Sequence, residues 1–155
     1  MHRTWRAVSA GWLTSTMLLA ATGAQAEVLT FQFTGTVQTV DPALASSFTI
    51  GQAISGSFSY DTTTPGLIQA SGQVGVYYGA VTSAGLTAGA MQFSGQPPAQ
   101  PIDYVLVEDD YYNRDGVRMY RSVAGPLVQG LTPTQLYIQL WDPSMTAWTG
   151  VALPQ

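Results

Sequence analysis

The sequence predicts an all-β protein, an antiparallel β-sandwich of jelly-roll or Greek-key type preceded by a signal peptide. Three observations carry this expectation. Apolar and polar residues alternate with period two wherever a pattern is legible, and turn residues separate these runs at short intervals. No segment after residue 26 holds a long apolar period of 3.6 residues.

The amino terminus carries Arg3 and Arg6 with no acidic residue nearby, then a mostly apolar stretch from Ala7 to Ala21, and closes on Ala24-Gln25-Ala26. A basic start, an apolar middle and a small-x-small end make a cleavable secretion signal, with cleavage after Ala26. A membrane-spanning helix needs about 20 predominantly apolar residues. This stretch is shorter and is interrupted by Ser9, Gly11, Thr14, Ser15 and Thr16. The mature chain is therefore expected to have no membrane span and to be extracellular or periplasmic. Residues 27–155 read as a single domain, long enough to bury a core.

Strands are expected in order along this domain. From Leu29 to Val37 the residues Leu29, Phe31, Phe33 and Val37 alternate with Thr30, Gln32, Thr34 and Thr36. Ile54, Gly56, Phe58 and Tyr60 alternate with three serines. Ile102, Tyr104 and Leu106 form a third run, and Leu136, Ile138 and Leu140 a fourth. Weaker strands are expected at about 73–82, 86–94 and 117–123. Asp41-Pro42, Thr64-Pro65-Gly66, Asp115-Gly116, Gly125-Pro126 and Asp142-Pro143 are turn signals, and the proline-rich 95–101 stretch is a loop between two halves of the sandwich.

Composition excludes several functions. Loss of the signal leaves three Arg against nine Asp and Glu, a net charge of −6. Nucleic-acid binding needs a basic footprint, so that class is set aside. The chain has no Cys and no Lys, and its single His is His2, inside the signal. No His- or Cys-based zinc site, Schiff-base lysine or His-activated nucleophile can be assembled from the mature chain.

Phe33-Thr34-Gly35-Thr36-Val37, followed by Phe48, Gly51, Gly56, Phe58, Tyr60 and Asp61, forms an F-x-G-x-V strand and then F-x-x-G-x-x-x-x-G-x-F-x-Y-D. This pattern resembles a group of secreted bacterial β-sandwich proteins, many of which end in a PEP-CTERM sorting tail. The resemblance spans most of residues 29–153. It implies a β-sandwich on or outside the cell, in some cases linked to a polysaccharide-rich matrix, and it carries over no catalytic residue. The chain stops after Val151-Ala152-Leu153-Pro154-Gln155 without the Pro-Glu-Pro motif, apolar helix and basic cluster of such a tail. The expectation is either release without an anchor or a sandwich short of its last strand.

Two constellations are candidate sites. Glu108-Asp109-Asp110, Asn113, Asp115 and Gly116 form the dense acidic segment. Asp109, Asp110, Asn113 and Asp115 offer the oxygen ligands that calcium takes. The other reading is a hairpin turn in which Asp115-Gly116 supplies positive φ and the acids are solvated. Trp141 and Trp148, with Tyr77-Tyr78 and Tyr111-Tyr112, are the candidates for stacking on sugar rings, against ordinary sheet packing. Only one of Tyr77 and Tyr78 can face a given surface. On a continuous strand the Cα atoms of Glu108 and Asp110 would lie roughly 6.5 Å apart. Any two acids at that spacing would do the same, so no glycan hydrolase is expected. The expected function is a non-catalytic exported β-sandwich of the cell envelope or extracellular matrix. The alternative is a small secreted carbohydrate-binding module, calcium-assisted through the acidic loop, with extracellular polysaccharide or other envelope proteins as partners.

Overall fold

Period-two alternation becomes strand almost throughout the computed structural model, which describes residues 27–96 and 103–154. The strands are β1 (Val28–Thr36), β2 (Ala53–Asp61), β3 (Leu67–Ile68), β4 (Val74–Tyr78), β5 (Val81–Ala88), β6 (Met91–Gly95), β7 (Tyr104–Glu108), β8 (Asp115–Ala124) and β9 (Gln135–Asp142). The expected signal over residues 1–26 lies outside the described residues, as do Ile102 and most of the 95–101 loop. Asp41-Pro42 does turn the chain: the Asp41 carboxylate caps a single 3₁₀ turn at Pro42–Leu44. No helix among the described residues is long and apolar enough to cross a membrane.

All pairings are antiparallel, in the order β1-β2-β5-β6-β8-β7-β4-β3, with β9 on the other side of β8. β8 is the joint. Its body, from Asp115 to Ser122, pairs with β9, and Gly116 to Tyr120 pair with β7. Its last residues, Val123 and Ala124, pair with Gly95 and Ser94 of β6. Phe58, Tyr60, Val81 and Ala84 from the β1-β2-β5-β6 group and Tyr77, Val105, Val107, Val117 and Met119 from the other strands bury into one core. Arg121 locks the joint from inside. Its Nη1 lies 2.7 Å from Asp103 Oδ2 and donates to the Val81 carbonyl at 2.8 Å. Asp103 Oδ1 accepts from the Ser122 amide. A guanidinium and a carboxylate this deeply buried are tolerated only when paired and hydrogen-bonded together.

Three local expectations change. The runs at 73–82 and 86–94 are each cut by a glycine in the left-handed region, Gly79 (φ 75°) and Gly89 (φ 60°). Gly79-Ala80 carries the chain from β4 to β5, which do not pair with each other, and Gly89-Ala90 closes the β5–β6 hairpin. Asp115-Gly116 is not a turn. Asp115 opens β8 fully buried, and the positive-φ residues of the β7–β8 connection are Asp110, Tyr112 and Asn113. In β7 the core-facing residues are Val105 and Val107, which are fully buried, whereas Tyr104 and Leu106 face outward. β7 lies between β4 and β8 and is apolar on both faces, so alternation could not tell its inside from its outside.

Residues 143–154 form no strand, yet they are firmly held. Asp142 accepts from the amides of Ser144 and Thr146. The Tyr77 hydroxyl donates to the Val151 carbonyl at 2.6 Å, and the Tyr60 hydroxyl to the Pro154 carbonyl at 2.8 Å. Leu153 enters the core.

Candidate functional site

The cross-strand register sorts the outward side chains of β4, β7, β8 and β9 into rows. Tyr78 lies opposite Tyr104, Tyr104 opposite Tyr120, and Tyr120 opposite Tyr137. Four tyrosines thus cross four strands in a line. Tyr104 and Tyr120 stack with ring centroids 5.4 Å apart, and Tyr78 and Tyr137 meet this central pair edge-on at 6.1 and 6.4 Å. The next row holds Val76, Leu106, Arg118 and Gln139, and the one after it Val74, Glu108, Gly116 and Trp141, of which only Trp141 is exposed.

The polar members form one network. Arg118 Nη2 donates to Glu108 Oε1 at 2.6 Å. With its amide oriented to satisfy both donors, Gln139 accepts from Arg118 Nε at 2.8 Å and from the Trp141 indole at 2.5 Å. Glu108 is only 1% exposed, and its carboxylate occupies the space above Gly116, where a Cβ would come within 2.6 Å of Oε2. A side chain at this position would have to push the Glu108 carboxylate aside. Arg114 lies over Trp141, its guanidinium carbon 4.2 Å from the ring centroid. Burial raises the Tyr104 hydroxyl above its ordinary pKa, the neighbouring Tyr137 and Tyr120 add to the rise, and Arg118 opposes it. The Tyr104 phenol therefore keeps its proton around neutral pH and can both donate and accept hydrogen bonds.

Of the aromatic candidates, Trp141 stands on this face, 54% exposed. Trp148 is elsewhere: it packs against the core and its indole donates to the Glu108 carbonyl at 2.9 Å. Tyr77 points inward and Tyr78 outward. Tyr111 and Tyr112 contact each other in the β7–β8 connection, with centroids 4.3 Å apart. Tyr104, Tyr120 and Tyr137 were not among the sequence candidates. The available signal was a tyrosine on each of several strands, but their alignment depends on registers that alternation leaves open.

The acidic candidates also converge. Carboxylate oxygens of Asp109, Asp110 and Asp115 lie within 4.8 Å of one another. Two of these groups already hold backbone. Asp115 accepts from the amides of Asp110, Ala147 and Trp148, and Asp109 accepts from Gly150 at 2.7 Å. They fasten the segment after β9 to the start of β8. Asn113 sits in the same connection in a left-handed conformation, φ 57°. Asp110, at φ 53°, lies past the end of β7, so it does not continue a strand face with Glu108.

A cavity of about 100 Å³ is lined chiefly by Val37, Val40, Phe48, Ile54, Leu86 and Phe93, and it reaches Leu136 and Tyr137 of β9, the latter at the end of the tyrosine row. Among the described residues its polar lining is Gln38, Thr39, Gln135 and Tyr137, with no carboxylate and no cation. No protein-family model, curated protein or solved structure matches this chain.

Proposed function

We propose that the chain is a non-catalytic exported β-sandwich protein of the cell envelope or extracellular matrix, and that it binds polysaccharide through the outer face of β4, β7, β8 and β9. The observation that carries the glycan reading is the row Tyr78-Tyr104-Tyr120-Tyr137 with Trp141 on the same face. Sugars present hydroxyls and apolar C–H faces together. A sheet face of phenols and an indole beside the Arg118 and Gln139 side chains, with buried Glu108 holding the arginine in place, matches both. Export and the envelope location rest on the amino-terminal pattern and on the resemblance to secreted proteins of the PEP-CTERM type. The non-catalytic reading rests on a mature chain without Lys, Cys or His. The joint at β8 and the core shared between the two strand groups favour the sandwich, of jelly-roll or Greek-key type.

A glycan array read with the parent and with Trp141→Ala and Trp148→Ala variants tests the binding face. Trp141→Ala is expected to weaken binding by about 2 kcal/mol, the cost of truncating a central aromatic anchor, with the melting temperature unchanged. Trp148→Ala is expected to lower the melting temperature instead. Equal binding by all three proteins would remove the reading. The calcium-assisted form rests on Asp109, Asp110, Asn113 and Asp115. A ligand that binds only the folded state raises its stability, so calcium against chelator should shift thermal unfolding upward. No shift at millimolar calcium removes calcium and leaves the glycan face standing.

A further inference from the structure

β1 is the outermost strand of its layer: it pairs with β2 along Val28–Thr36, and among the described residues no strand pairs its other side. An open edge of nine residues is a template for another strand, and proteins ordinarily blunt such edges with charge, proline or a bulge. β1 has none of these; it reads VLTFQFTGT and its register with β2 is unbroken. The net charge of −6 on the mature chain finds no residue in this strand.

The sequence of the strand is also self-complementary. Thr30-Phe31-Gln32-Phe33-Thr34 reads the same in both directions about Gln32. In an antiparallel pair of identical strands with the two-fold axis at Gln32, Thr30 faces Thr34 of the second copy, Phe31 faces Phe33, and Gln32 faces itself. Aromatic pairs, threonine pairs and a reciprocal amide pair are all favourable cross-strand partners, and no like charges meet. Flanking pairs are Leu29 with Gly35 and Val28 with Thr36. Phe31 and Phe33 pack on the core but remain half-buried at the edge. A second β1 would cover their open flanks.

We infer that β1 is a self-association surface: two copies of this chain pair their β1 strands antiparallel about Gln32, joining their β1-β2-β5-β6 layers into one continuous sheet. The contact is isologous, so it closes at the dimer and does not propagate.

Sedimentation velocity of the exported protein over a concentration series is expected to show a monomer–dimer equilibrium. Gln32 is exposed, so Gln32→Lys should leave the fold and melting temperature intact. It places two like charges opposite each other and is expected to weaken the dimer by about tenfold or more. Mixing Gln32→Lys with Gln32→Glu should restore pairing. Because the chain has no cysteine, single-cysteine variants read the register. Gln32→Cys should oxidise to a covalent dimer, and Thr30→Cys should cross-link to Thr34→Cys much faster than either does to itself. A monomer at every concentration overturns the inference. So does a dimer indifferent to Gln32→Lys, an open-ended polymer, or a Thr30→Cys variant that cross-links to itself as fast as to Thr34→Cys.

Discussion

Glu108 and Arg118 are the residues on which the candidate face depends most. Glu108 is buried, with one carboxylate oxygen held by Arg118 and the other without a hydrogen-bond partner among the described residues. Removing the arginine alone would leave a buried, unpaired charge, the costly half of breaking an ion pair. Arg118→Met is expected to destabilise the protein by about 3 kcal/mol in urea unfolding, and adding Glu108→Leu should recover most of the loss. If Arg118→Met changes stability no more than an ordinary surface substitution does, the pair is not structural. Asp142 gives a prediction in pH. Hydrogen bonds from the Ser144 hydroxyl and amide and from Thr146 hold its pKa at about 2, below the ordinary 3.8. A group held below its unfolded pKa stabilises the fold fully above that value, and the stabilisation disappears as pH falls through the folded one. Acid titration of unfolding should therefore show a loss between pH 3.8 and about 2 that is smaller in Asp142→Asn, where Asp61, held below its ordinary pKa by Thr63, still contributes.

At the scale of elements, two glycines decide where strands end. β4 and β5 look like one strand in sequence because Val74 to Val81 is almost continuously apolar or aromatic. Gly79, at φ 75°, breaks that run and sends the chain from one group of strands to the other. An ideal Cβ on Gly79 meets nothing within 4 Å, so Gly79→Ala tests backbone conformation alone. A left-handed alanine is expected to cost about 1 kcal/mol, read as a lower denaturant midpoint at unchanged slope. A neutral substitution would show that the turn tolerates another conformation. β8 illustrates the opposite case, an element longer than alternation suggests. Its first two residues, Asp115 and Gly116, carry the composition of a turn but the hydrogen bonding of a strand. Asp115 is satisfied there by amides from the segment after β9. Local composition carries no information about those partners, which lie more than thirty residues away.

For the whole molecule, the segment after β9 acts as a plug without being a strand. It is fixed at both ends: near Trp148 by Asp115, and near its end by Tyr77 and Tyr60. Leu153 is 4% exposed within the main core. Leu153→Ala is expected to destabilise by about 3 kcal/mol, the range for a buried leucine whose cavity does not collapse. Calorimetry showing less than about 1 kcal/mol would mean that the plug is not part of the cooperative fold.

The division between sequence and structure follows the range of the forces involved. Strand positions in β1, β2 and β9, the acidic charge, and the absence of lysine, of cysteine and of any histidine beyond His2 were all determined by the sequence itself. Alternation is a local property, because neighbouring side chains must point to opposite faces. The candidate face is not local. Tyr78, Tyr104, Tyr120 and Tyr137 come from four strands, and only the registers of β4, β7, β8 and β9 align them. The acidic segment shows the same division. Its composition marked it as a place where carboxylates gather. Tertiary structure alone set the half-exposed Asp109 on the Gly150 amide. It also buried Asp115 against the amides of a distant segment, because buried charge must find donors wherever the fold brings them.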